Sequence, residues 1–203
     1  KRLLSKTSIM NFFQQHIEKV VAATTHALEL SGHDGVWIYS GHPENNFLDD
    51  MGPAHTINPH FKWWVPVPHI TSSVLHFVPG QKPTVYLHQP ADFWHKIIDN
   101  SQDKWAQHFD VKVIGHYSEL PDFKSATNHA WIGSAELQPL DKVHTNPKAL
   151  LDSLHFARIQ KTDYEINCIR QANITAMKGH EAARLAFLDG CSEYEIHMAY
   201  LQA

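Results

Sequence analysis

Residues 8–39, SIMNFFQQHIEKVVAATTHALELSGHDGVWIY, decide the class of fold. Ile9, Phe12, Phe13, Ile17, Val20, Val21, Ala27 and Leu28 recur at helical spacing, so an amphipathic helix is predicted from Ser8 to Leu30, with Gly32 as its stop. Three residues later the period changes. Gly35-Val36-Trp37-Ile38-Tyr39 is a short apolar run with the look of a buried strand, and residues 40–43 (SGHP) break it. A helix followed at once by a buried strand predicts a layered α/β domain.

Working outward, residues 73–78 (SVLHFV) and 84–88 (TVYLH) flank PGQKP at 79–83, which predicts a hairpin turning at Gly80. A helical stretch is expected over 91–109, a strand over 111–114 (VKVI) and a short strand over 130–133 (AWIG), making the sheet mixed. After Pro147 there is no further proline, and the pattern is helical to the end. The domain boundary is therefore placed at 150, with an α/β domain over 1–150 and a second, helical piece over 151–203. Thr162-x-x-Glu165 is a capping box opening a helix that runs to about Leu188, and Gly190 is placed to end it. Ser192-x-x-Glu195 repeats the device. The helix it opens leaves Ile196, Ala199 and Tyr200 with little after them to cover them, so the second domain is expected to be incomplete in this chain.

Hydrophobic residues make up 43% of the 203 and charged residues 19%, which separates the chain from disordered polypeptides. A formal net charge of -4 and the lack of any Lys/Arg run give no footprint for phosphate backbones, so nucleic acid is not expected as a partner. No apolar run approaches the roughly 20 residues of a membrane span, and Lys1, Arg2, Leu3 and Leu4 lead into polar residues rather than a secretory h-region. With two distant cysteines, Cys168 and Cys191, the expected compartment is the cytoplasm. The 17 histidines invite a metal reading, but their spacing argues against it. His55 and His60 are the closest pair, so no two lie at the three- or four-residue spacing that places imidazoles on one helix face. HEAAR at 180–184 begins like a zinc-peptidase motif, yet Arg184 occupies the second ligand position. For most of these histidines a surface or hydrogen-bonded role is expected.

Several stretches, in one order along nearly the whole chain, carry a resemblance. They are Ser40-Gly41, NFLDDM at 46–51, INPHFKWWVP at 57–66, Lys82-Pro83, PADFWHK at 90–96, NPK at 146–148, KTDYE at 161–165, GHEAA at 179–183 and SEYEI at 192–196. Together these resemble the bacterial Xaa-Pro dipeptidases (prolidases), including those also studied as organophosphorus acid anhydrolases. The resemblance implies a creatinase/prolidase-type N-terminal α/β domain with a mixed sheet and flanking helices, followed by the helical start of a pita-bread α+β domain. It further implies a homodimeric dipeptidase acting on dipeptides with C-terminal proline. Two metal ions per subunit, expected to be Mn2+, would have their ligands beyond Ala203, so no catalytic or metal-binding residue is carried over onto this chain. One departure is local: Gly52-Pro53-Ala54-His55-Thr56 stands where the family has an aromatic-rich stretch.

Two residues are carried over as substrate-binding. Read from the residues alone, Asp49 and Asp50 are paired carboxylates with no nearby Lys or Arg, open to meeting a substrate's ammonium group, although a pair of turn-forming, solvated acids is the favoured reading; Trp94 is an aromatic anchor packed on the sheet. The resemblance implies that Asp50 lies near the substrate pocket and that Trp94 reaches the active site of the neighbouring subunit. Trp63 and Trp64 are assigned to packing. An Xaa-Pro bond has no N–H to be recognised, so the expected task of this segment is to supply a rim that limits substrate length, together with dimer contacts. The rival reading is a non-catalytic peptide- or protein-binding module of the pita-bread superfamily. A phosphotriester side activity follows from the same resemblance.

Overall fold

A computed structural model describes residues 6–91, 93, 103–121, 128–134 and 144–203, with side chains described from residue 12 onward. The chain divides into two compact units, residues 1–160 and 161–203.

In the first unit, helix α1 (Lys6–Ser31) buries Phe13, Ile17, Val20, Thr24, Ala27 and Leu28, the three-to-four-residue rhythm that the sequence predicts. Gly32 ends it with a positive φ of 73°, which lets His33 N–H reach back to the Leu28 carbonyl at 3.1 Å. Strand β1 (Gly35–Tyr39) follows and is buried on both faces. Helix α2 (Pro59–Trp64), strands β2 (Val74–Phe77), β3 (Thr84–His88), β4 (Asp110–Ile114) and β5 (His129–Ile132), and helix α3 (Lys148–Ala157) are the other helices and strands described in this unit, beside two short 3-10 turns.

The five described strands form one sheet in the order β4-β3-β2-β1-β5. β2 and β3 make the predicted hairpin, antiparallel to each other, with Gly80 at a positive φ of 79° in the turn. β1 pairs antiparallel with β2 and parallel with β5, and β3 pairs parallel with β4. The sheet is mixed, as expected. Alternation along the strands sorts the side chains by kind. One face carries an aromatic cluster of Trp37, Tyr39, Tyr86 and Trp131 with Val74 and Ile114. Trp37 also stacks on His76 at 3.6 Å between ring centroids. The other face is largely aliphatic, and its Phe77 meets Trp64 of α2 at 5.0 Å.

Two expectations shift. The helical stretch expected over 91–109 lies mostly outside the described residues, and its described end is a single 3-10 turn, Ala106–His108. The first compact unit continues past position 150, because α3, with Leu150 and Leu154 buried, packs on α1.

In the second unit, helix α4 (Asp163–Leu188) opens on the predicted capping box. Thr162 N–H donates to Glu165 Oε2 at 2.8 Å, and Glu165 N–H donates to Thr162 Oγ1 at 3.3 Å. Gly190, at a positive φ of 76°, closes it, and helix α5 (Glu193–Gln202) opens on the box of Ser192 and Glu195. The two helices pack closely at Gly179, where a β-carbon would sit 2.9 Å from the Tyr200 ring. Along α4, Ile169, Met177, Leu185 and Phe187 are exposed.

Candidate functional site

The carboxyl ends of the parallel strands β1 and β5 lie side by side, and the chain leaves β1 there into a long loop, residues 41–57. Loops at such strand ends are where layered α/β domains place binding groups. The base of the loop is closed by a hydrogen-bonded knot. Asn58 N–H donates to the Ser40 carbonyl at 2.9 Å, and Ser72 N–H donates to the Gly41 carbonyl. The buried pair Ser40 and Ser73 lock β1 to β2: Ser40 N–H donates to the Ser73 carbonyl, and Ser73 N–H to Ser40 Oγ, each at 2.9 Å.

Asn58 does more than close the loop. Its side-chain amide donates to the Tyr39 carbonyl at 2.8 Å and to the Ile132 carbonyl at 3.4 Å, while its Oδ1 accepts from His60 N–H at 2.9 Å and caps α2. Pro59 at the first helical position needs no partner for a missing N–H, so Asn-Pro is a natural helix start.

Between the loop and the strand ends lies a cavity of about 400 Å³ whose walls include Tyr39, His42, Glu44, His55, Asn58 and Ser134. Tyr39 Oη shares a hydrogen bond with His42 Nδ1 at 3.0 Å. The His55 ring lies over Gly41, where a β-carbon would come within 3.1 Å of it and where φ is +87°, so glycine is required twice over. His55 thus fills the space over Gly41.

Asp50 is not part of the cavity wall. It sits at the outer turn of the same loop, exposed. That turn is held by Asn46 N–H to the Met51 carbonyl at 2.8 Å, Asp49 N–H to the Asn46 carbonyl, and Met51 N–H to Asp49 Oδ1. Asp49 is therefore the turn-former that residue-level reasoning expects. Leu48 takes a positive φ of 57°, an unfavourable value for a branched side chain, and Phe47 and Leu48 are 92% and 90% exposed. Trp94 lies outside the described residues. Trp63 and Trp64 are buried, in keeping with their assignment to packing.

Several of the described histidines bond to one another or to backbone. His16 Nε2 donates to the Trp63 carbonyl at 2.7 Å, His60 pairs with His155 at 3.1 Å, and His76 with His129 at 3.2 Å. Burial, reinforced by Arg158 and His155, pushes the His60 pKa down to about 4. Burial, reinforced by His129, does the same to His76. Among the described residues no three His, Cys, Asp or Glu side chains converge to hold a metal ion, so these residues do not fit the metal pair that the resemblance implies. No described helix is long and apolar enough to cross a membrane.

Residues 11–156 match the family model described as Xaa-Pro dipeptidase, N-terminal domain. The chain is similar to Xaa-Pro dipeptidase 2 of Idiomarina loihiensis, 42% identical over 200 residues that cover 96% of this chain and 46% of the relative. It is 38% identical over 199 residues to the Xaa-Pro dipeptidase of Glaesserella parasuis, and 36% identical over 200 to that of Shewanella pealeana, each covering 96% of this chain and 45% of the relative. The chain thus spans about half the length of these curated relatives. With a mixed sheet and flanking helices over the matched region, the chain belongs to the Xaa-Pro dipeptidase family, residues 11–156 forming its N-terminal domain.

Proposed function

We propose that this chain is the N-terminal half of a metal-dependent dipeptidase that hydrolyses dipeptides ending in proline, and that the 41–57 loop forms part of the rim of its substrate pocket. The observation that carries the reading is the contrast within the loop. Its base is tied into the buried end of the sheet, while its outer turn offers a carboxylate, Asp50, beside two large apolar side chains, Phe47 and Leu48, left almost wholly in water. Neighbouring exposed apolar groups on a pinned turn suit a surface that becomes covered by another part of the assembly. On this reading Asp50 meets the ammonium end of the dipeptide, and Trp94 closes the pocket of the neighbouring subunit in a homodimer. Residues 161–203 begin the pita-bread domain, whose uncovered apolar positions on α4 await the rest of it. The metal pair, expected to be manganese, belongs with residues outside 1–203.

The rim reading is tested on Asp50→Ala in the full-length enzyme. An exposed loop acid contributes little to folding, so the unfolding free energy should change by no more than about 0.5 kcal/mol. Loss of a contact to the substrate ammonium group should lower kcat/KM for Leu-Pro by about tenfold or more. Unaltered kinetics would return Asp50 to a solvated turn.

A further inference from the structure

We propose that Asn58 is a positioning residue for the substrate rim, acting through the hydrogen bonds that tie the loop base to the ends of β1 and β5; the inference rests on the rim reading of Asp50. The amide meets two kinds of partner at once. The carbonyls of Tyr39 and Ile132 can only accept, and His60 N–H can only donate, so a single orientation of the side chain satisfies all three. Aspartate in its place has no N–H to donate. Serine can cap α2 but is too short to bridge both strand ends, and glutamine carries the amide one methylene too far.

Geometry gives this tie its leverage. Tyr39 and Ile132 are the last residues of neighbouring parallel strands, and the backbone N–H of Asn58 closes on Ser40 at the other foot of the loop. One residue therefore touches both ends of the loop, beside the bonds that Ser72 makes to Gly41 and Ser73 to Ser40. The outer turn is held by its own short-range bonds among Asn46, Asp49 and Met51, so it keeps its own shape when the base beneath it moves. A shift of about an ångström at the base carries Asp50 with it, and a misplacement of that size in a binding group is enough to change rates substantially. The 400 Å³ cavity between loop and strand ends is the space into which an untied loop can settle.

The test uses the full-length enzyme with Leu-Pro as substrate. Asn58→Ser retains an oxygen to cap α2 and loses the tie; Asn58→Asp retains size and cap and loses both donors. Each is expected to lower kcat/KM about tenfold, mainly through KM, at a temperature where circular dichroism shows variant and wild type equally folded. In an Asp50→Ala background neither substitution should lower kcat/KM further, because the group being positioned is already gone. A merely structural role predicts the opposite, equal losses in both backgrounds, and that result overturns the proposal. So does wild-type kcat/KM in either Asn58 variant, or failure of both to fold. If Asp50→Ala is impaired while the Asn58 variants are not, the rim reading survives and only the positioning role falls. If Asp50→Ala itself is unimpaired, both fall.

Discussion

Trp131→Ala is expected to lower the unfolding free energy of the chain by about 3 to 5 kcal/mol, the range for deleting a fully buried large aromatic side chain. Trp131 is 0% exposed, stacks on Tyr39 with ring centroids 5.9 Å apart, and donates its indole N–H to the Ser134 carbonyl at 3.1 Å. Its backbone is held as well: its carbonyl accepts from Asn146 N–H at 2.7 Å, and it bridges to Thr145. With neighbours fixed on every side, the site has little freedom to collapse around a cavity, which argues for the upper part of the range. Trp131→Phe keeps most of the ring and loses the N–H donation, so a smaller cost of about 1 to 2 kcal/mol is expected. Urea unfolding of the two variants beside wild type measures both. A cost below about 1 kcal/mol for alanine would show that the aromatic face of the sheet is not part of the core.

The second large effect is on acid stability. His60 and His76 have folded pKa values near 4, against an ordinary 6.5. The folded state therefore holds fewer protons than the unfolded state throughout that window. Their contribution is fully present above pH 6.5 and is lost progressively as pH falls towards 4. The geometry agrees, since an imidazole pair sharing one hydrogen bond, as in His60 with His155 and His76 with His129, needs an unprotonated nitrogen to accept it. Each full shift corresponds to about 3 kcal/mol, which partial solvent access reduces, leaving on the order of 3 kcal/mol for the two together. Urea midpoints measured from pH 7.5 down to 4.5 should fall steeply, and His60→Gln with His76→Gln should flatten the slope. A flat wild-type profile between pH 6.5 and 5 would show that these rings titrate as if in water.

Much of the fold was legible because its signals are local. The rhythm of Phe13, Ile17, Val20 and Leu28 marks α1 without reference to any other segment, and the Thr162–Glu165 and Ser192–Glu195 boxes announce α4 and α5 within four residues. Helix α2 was missed because six residues of PHFKWW are too few for a period to declare itself; the available signal was Asn58 before Pro59. The extent of the first compact unit has no such local signal: the helical pattern after Pro147 predicts α3, but only tertiary contact shows that α3 packs on α1. The site divides in the same way. Asp50 was legible as an acid in a turn, whereas the approach of His55 to Gly41 and the bond from Asn58 to Ile132 join residues well separated in the chain and leave no local trace.

The pairing of β1 with β5 also bears on how the chain folds as it is made. β1 and β2 meet early, Val36 facing Phe77, and β3 follows through a tight turn. β5 begins only at His129, yet it must lie parallel to β1, with Gly35 opposite His129. During synthesis the edge of β1 that carries Val36, Trp37 and Ile38 thus stands open until roughly the first two-thirds of this chain has emerged, and closing so long a loop is entropically slow. An apolar strand edge exposed for that interval is a template for pairing with another nascent chain, so the segment's vulnerability to aggregation is concentrated in the time before β5 arrives.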